Sequence, residues 1–286
     1  MKNQSIGITG HKGVIGSEFL KEFKNNKFLK CRIDITNRKK VFNWIKNNNF
    51  NIFIHFAAIV PVNQVINNKQ KAYDVNFVGT KNIVDAIIKY KKKQKIWFFF
   101  SSTSHVYSLV KNSNKLKENS KKKPINYYGK LKYDAEKYII KNLKNNNIKY
   151  CIGRIFSFTH YKQNKDYFVP SVFNKIMSPK KNIVFKNVNI YRDFIHLKDL
   201  LKSIKILFKN NSVGIYNIGS GNKVSLIEII NTVSKYNKIK KNIKIEKNYL
   251  GGNLIANISK LKKIKFKTKF DIYKIIKDYH AKKYRN

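Results

Sequence analysis

The sequence predicts an α/β chain in which helices cover both faces of a parallel sheet. Three observations carry that expectation. Apolar runs of strand length alternate with segments of helical period. Residues 96–100 are apolar throughout, as a strand buried on both faces must be. A glycine-spaced turn directly follows the first strand-like run.

The elements follow in order. Residues 5–9 read as a first strand, 14–23 as a helix, 31–34 as a short strand, 39–46 as a helix and 52–56 as a strand. A long helix over 72–90 places Ala72, Val75, Val78, Gly79, Ile83, Ala86 and Ile87 on one stripe, and 96–100 returns as a strand. Residues 127–143 are helical and 150–155 form one more strand, after which the alternation becomes irregular. The expected organisation is a dinucleotide-binding domain over 1–155 and a smaller substrate-binding region over 156–286, part of which returns to the core. There is no internal repeat.

Composition narrows the function classes. A chain of 286 residues with 42% hydrophobic content can bury a sizeable core, and no apolar run approaches the ~20 residues of a membrane span. Lys2, Asn3 and Gln4 lead straight into a strand-like segment without a secretory leader pattern, which predicts a cytoplasmic protein. Cys31 and Cys151 lie far apart and form no metal-spaced cluster, so packed thiols are expected, with neither a disulfide nor a metal site. The net charge of +46 would by itself suggest nucleic acid. Only five of the basic residues are arginine, however, the side chain suited to bidentate phosphate and base recognition. The lysines run with asparagine and isoleucine throughout, as solvated surface positions do, and a nucleic-acid partner is not expected.

The glycine turn is the first motif with a mechanism. Gly10, Lys12, Gly13, Val14, Ile15 and Gly16 lie between the first strand and the first helix. Gly10 permits a tight turn, Gly13 lets backbone approach a pyrophosphate, and Gly16 lets the helix pack on the sheet with its N-terminus facing the anion. The spacing reads as the phosphate-binding turn of a Rossmann-type doubly wound sheet, the alternative being ordinary turn punctuation, and it predicts NADP or NAD as cofactor. The acidic residue that would hold an adenosine ribose is displaced. Asp34, 18 residues beyond Gly16, sits with Ile35 in a setting like the later strand end that contacts adenine, as though one strand–helix unit had been shortened away. Lys12 and Arg32 either meet a 2′-phosphate, which favours NADP, or are solvated surface charges.

A second constellation carries the chemistry. Tyr128 and Lys132 stand one turn apart at the start of a helix, where a nearby cation favours phenolate and equips the tyrosine to move the proton of a sugar hydroxyl. Ser101, Ser102, Thr103, Ser104 and His105 follow a buried strand at the edge where open parallel sheets place their ligands.

Together these segments resemble the extended short-chain dehydrogenases/reductases, in the NAD-dependent epimerase/dehydratase branch. Thr9–Gly16 resembles the family's glycine motif, His55-Phe56-Ala57-Ala58 its sheet-end motif, and Asn76 with Gly79-Thr80 its central helix. The resemblance implies that Thr103, Tyr128 and Lys132 form a catalytic triad and that Ala57, Ala58 and Asn76 border the cofactor. It also implies that Arg192, in Arg192-Asp193-Phe194-Ile195-His196, grips the diphosphate of a nucleotide sugar, and that the enzyme is a homodimer. The alternative for Arg192 is an ion pair with Asp193 or Asp199. The dehydratases' Asp-Glu pair after the threonine is here Ser104-His105, which argues against dehydration. His105 stands where the family places its extra acid/base group; the alternative is a bystander loop histidine. The glycine turn resembles that of an NADPH-dependent branch that reduces 4-keto-6-deoxy sugars. The expected reaction is therefore reduction of such a nucleotide-linked sugar, with 4-epimerisation as the alternative and a non-catalytic nucleic-acid-binding protein of the same fold as the alternative of another class.

Overall fold

The computed structural model describes residues 4–60, 62–111, 114–246 and 252–284. The elements are β1 (Ser5–Thr9), α1 (Val14–Glu22), β2 (Lys27–Lys30), α2 (Arg38–Asn47), β3 (Ile52–His55), α3 (Val62–Asn67), α4 (Lys69–Tyr73), α5 (Gly79–Lys91), β4 (Trp97–Thr103), α6 (Tyr127–Asn145) and β5 (Lys149–Ile155). They continue with β6 (Ser157–Thr159), α7 (Phe168–Ile176), β7 (Asn182–Lys186), β8 (Tyr191–Arg192), β9 (Phe194–His196), α8 (Leu197–Lys209), β10 (Gly214–Ile218), β11 (Val224–Ser225), α9 (Leu226–Asn237), β12 (Asn242–Glu246), α10 (Ser259–Lys263) and α11 (Ile272–Tyr284).

The chain forms two compact units, one of residues 1–106, 122–155 and 201–216, the other of 107–121, 156–200 and 217–286. The first is built on a six-stranded sheet in the order β10-β5-β4-β3-β1-β2, a Rossmann-type arrangement in which β1 to β5 pair in parallel. Among the described residues one strand lies beyond β1, where the usual dinucleotide order 3-2-1-4-5-6 has two. Apolar side chains fill the layer between sheet and helices: Phe53, Phe98 and Phe100 from the strands meet Ile83, Ile87, Ile139 and Leu143 from α5 and α6. The returning segment 201–216 is tied into this unit where Trp97 Nε1 donates to the Ser212 carbonyl at 2.9 Å and Phe208 packs edge-on against Trp97. The second unit has its own core, with Val172, Phe173, Ile229, Val233, Ile276 and Tyr279 from α7, α9 and α11. Both cysteines are buried, and burial pushes the Cys31 thiol up to about 11. Among the described residues no helix is long and apolar enough to cross a membrane.

Three elements differ from the sequence expectation. The second strand is Lys27–Lys30, in register Ser5↔Lys27 to Ile8↔Lys30, and not 31–34. An edge strand pairs on one side only, so it needs no continuous apolar run, and the apolar Cys31, Ile33 and Ile35 belong to the turn that follows. The long helix begins earlier and is broken in three, because Asn68 caps α4 by accepting from Lys71 N and a π-helical turn at Asp74–Val78 precedes α5. Finally, β4 runs to Thr103, so the hydroxyl cluster is strand and not loop: Ser101, Ser102 and Thr103 pair with Gly153, Arg154 and Ile155.

Candidate active site

The glycine turn closes tightly for steric reasons. Gly10 has φ +67°, and a Cβ there would lie 2.5 Å from the Ala57 amide nitrogen. A Cβ on Gly16 would meet the Gly10 carbonyl oxygen at 2.2 Å, so both positions demand glycine. Gly13 N donates to Gly10 O at 3.0 Å, and Gly13 caps α1 with no side chain of its own. The amides of Val14, Ile15 and Gly16 thus open the helix with no partner inside it. His11 Nδ1 is buried there without a hydrogen-bond partner. Burial lowers the His11 pKa, and Arg32, Lys12 and Lys30 lower it further, so these cations gather beside the turn.

Asp34 is exposed, and its carboxylate accepts from the Thr36 amide and hydroxyl at 2.9 and 2.8 Å. Ile35 points into the core, where a Cβ on Gly79 would lie 2.7 Å from it. Asn76 is fully buried and spends its carboxamide on the backbone of Ile59, accepting from its nitrogen at 2.8 Å and donating to its oxygen at 2.9 Å. Ala57 and Ala58 are partly exposed at the end of β3.

Between Gly10 and Asn76 runs a closed chain of hydrogen bonds. Ala57 N donates to Thr9 Oγ1 at 3.2 Å, Thr9 Oγ1 lies 2.6 Å from His55 Nδ1, His55 Nε2 lies 2.9 Å from Thr80 Oγ1, and Thr80 Oγ1 donates to Asn76 O at 2.9 Å. The last bond uses the only hydrogen on Thr80, so Thr80 accepts from His55 Nε2–H, and Nδ1 accepts from Thr9. His55 is fully buried and neutral, its pKa pushed down to about 3, mainly by desolvation.

At the end of β4, Lys132 Nζ donates to the Ser101 carbonyl at 2.8 Å and stands 4.5 Å over the Phe100 ring. Burial lowers the Lys132 pKa to about 7, and the Glu136 carboxylate one turn on opposes that shift. Glu136 is itself fully buried, gripped by Arg154 Nε at 3.0 Å and Nη2 at 2.6 Å and by the Ser102 hydroxyl. Tyr128 is 8% exposed, and its ring meets His105 edge-on with centroids 6.0 Å apart. His105 N donates to Thr103 Oγ1 at 3.2 Å. Gly129 makes this assembly possible, because a Cβ there would lie 2.3 Å from the His105 carbonyl oxygen. The structure therefore brings Thr103, His105, Tyr128 and Lys132 together in the first unit.

Arg192 lies in the second unit. Its Nη1 donates to the carbonyls of Tyr191 and Gly252 at 2.9 and 2.6 Å, and burial lowers its pKa to about 10, which leaves it charged at neutral pH. The alternative ion pair is not formed. Asp193 instead accepts from the Ser220 amide and hydroxyl and the amides of Gly221 and Ala256, and Asp199 accepts from the amides of Lys269 and Phe270. The Gly219-Ser220-Gly221 turn is thus the cradle of Asp193, with Gly221 at φ +78°. Sequence reasoning missed three supports: Asp193, the Glu136–Arg154 pair and Asn126. Glu136 stands four residues past Lys132 on the same face of α6, and Asn126 three before Gly129 in a helix-start pattern; both spacings were visible.

The sheet order, the glycine turn and the Tyr128–Lys132 helix define the class, an extended short-chain dehydrogenase/reductase. The family described as GDP-mannose 4,6 dehydratase matches residues 18–278, and the chain belongs to it, within the nucleotide-sugar epimerase/dehydratase enzymes. It is 26% identical over 322 aligned positions to a UDP-glucose 4-epimerase of Mycoplasma genitalium, covering 96% of this chain and 94% of that one. Among solved structures it resembles RMD from Pseudomonas aeruginosa complexed with NADPH (TM-score 0.87, 17% identity, 98% and 99% of the two chains). It also resembles a Thermus thermophilus UDP-glucose 4-epimerase in complex with NAD (TM-score 0.85, 16% identity, 97% and 99%).

Proposed function

We propose that the protein is a nicotinamide-dependent nucleotide-sugar 4-epimerase. The observation that carries this reading is the likeness, along 96% of the chain, to a relative named as a 4-epimerase. The reduction of a 4-keto-6-deoxy sugar expected from the glycine turn gives way to it.

The residues fit a dinucleotide on their own geometry. The tight turn that Gly10 and Gly16 permit, the open amides at Val14–Gly16 and the orphaned His11 Nδ1 suit an anionic ligand with further acceptors. Asp34 and Ala57–Ala58 would border the adenosine and the centre of the cofactor, with Ile35 and Asn76 supporting them from behind. Lys12, Lys30 and Arg32 beside the turn favour NADP over NAD, since a 2′-phosphate needs cations where a free ribose needs a carboxylate. A nicotinamide cofactor held there would supply the hydride transfer.

The chain's own side chains move the proton. Tyr128 takes it from the C4 hydroxyl as the carbonyl forms and returns it on reduction, while Thr103 bonds the same oxygen and His105 adds a proton donor there. Lys132, one turn on from the tyrosine and with its pKa lowered to about 7, stabilises the phenolate. Arg192, charged and without a carboxylate partner, would hold the diphosphate through its planar fork. A homodimer through α5 and α6 and a cytoplasmic location complete the reading.

The test is to denature purified protein, identify any dinucleotide released, and offer it 4-epimeric pairs of nucleotide sugars. Interconversion without net cofactor consumption, abolished in Tyr128→Phe while dinucleotide still binds, is the expected result. Stoichiometric NADPH oxidation by a 4-keto-6-deoxy sugar would restore the reductase. Steeply salt-dependent nucleic-acid binding with no dinucleotide binding would overturn the enzyme reading.

A further inference from the structure

Backbone and ring contacts together hold His105. Its amide donates to Thr103 Oγ1 at 3.2 Å, its carbonyl accepts from Ile125 N at 3.0 Å, and its ring Nδ1 lies 3.0 Å from Asn126 Nδ2. The same asparagine caps α6, its Oδ1 accepting from Gly129 N at 2.8 Å. These two contacts are not independent. The Gly129 N–H admits only an acceptor, so the cap fixes the oxygen of the carboxamide toward the helix and the NH2 toward the imidazole. An NH2 can only donate, and Nδ1 must therefore be the unprotonated nitrogen.

We propose that Asn126 is a positioning residue that decides which nitrogen of His105 carries the ring proton, holding the neutral imidazole as an Nε2–H donor. The helix cap and the acid/base group are thereby one device: the bond that starts α6 also sets the tautomer. Tyr128, from the same helix, packs edge-on against the ring. The use of that proton at a carbonyl rests on the function proposed above; the tautomer does not.

Asn126→Asp tests the assignment without disturbing the fold, because aspartate caps a helix as well as asparagine and suits its positive end. The carboxylate still accepts from Gly129 N but presents only an acceptor to Nδ1. The readout is the nitrogen chemical shifts of isotopically labelled histidine in the apo protein, with the His105 signals assigned by their loss in His105→Gln. They are recorded at about pH 9, above the ordinary imidazole range. The expected result is an unprotonated Nδ1 in the parent protein and a protonated Nδ1 in Asn126→Asp, with turnover falling on the order of 10²-fold. A protonated Nδ1 in the parent, or unchanged shifts in a folded Asn126→Asp, would overturn the proposal. A proton that moves to Nδ1 while turnover stays the same upholds the tautomer assignment and removes His105 from the chemistry.

Discussion

The carboxyl ends of β3 and β4 are neighbours in the sheet and use the same parts: a histidine, threonine hydroxyls and an asparagine. At β3 the parts close on themselves. Both ring nitrogens of His55 are spent on Thr9 and Thr80, the ring is fully buried, and desolvation pushes its pKa down to about 3. At β4 the parts are less enclosed. His105 is fixed through its backbone and Nδ1, and the ring remains partly exposed beside Tyr128. The difference teaches that residue type does not distinguish scaffold from chemistry here. Burial and the direction of the last hydrogen bond do.

Substitutions can break or sharpen that contrast. The largest loss is expected under β4, where Arg154→Met leaves Glu136 as a buried, unpaired charge and should cost about 3–5 kcal/mol in urea denaturation. A loss below about 1 kcal/mol would mean that the Glu136–Arg154 pair contributes little to stability. At β3, Thr80→Val leaves His55 Nε2–H unsatisfied and should cost about 1–3 kcal/mol; a neutral result would break the closed-chain picture.

Lys132 gives a pH signature. Its folded pKa of about 7 lies below the unfolded value, so between about 7 and 10 the unfolded chain holds a proton that the folded chain has lost. Stability conferred by this site therefore rises with pH across that window, by up to roughly 1.4 kcal/mol per pH unit, and the cost of the buried charge is complete below it. Lys132→Met should flatten the slope relative to the parent when urea midpoints are compared at about pH 7 and pH 9. Equal slopes would place the lysine's charge in solvent. The smallest effect on stability belongs to His105→Gln, expected within about 0.5 kcal/mol even as turnover falls. Destabilisation as large as that of Thr80→Val would erase the distinction between the two strand ends.

The sequence made the frame legible wherever local pattern and burial coincide. The alternation of periods located the parallel strands, and the glycine spacing located the turn, because Gly10 and Gly16 answer to steric demands that no other residue meets. Asp34, read as the end of a strand over 31–34, instead follows β2 at Lys27–Lys30, since an edge strand leaves a weaker apolar signature than its following turn. What stayed hidden is long-range polar pairing. Nothing local links Glu136 to Arg154, Asp193 to the turn at Ser220, or Asn76 to Ile59, because these partners meet only once the chain is folded.

The missing strand has a consequence for the protein's behaviour in a crowded solution. With one strand fewer beyond β1, β2 lies at the rim of the sheet, and a rim strand offers an unpaired backbone ladder to any other chain. It is only four residues long and bears an exposed lysine at each end, Lys27 and Lys30. Shortness and charge are the devices by which open sheets resist edge-to-edge aggregation. Here the lysine bias of the chain acts as a gatekeeper for the very edge that the shortened fold laid open.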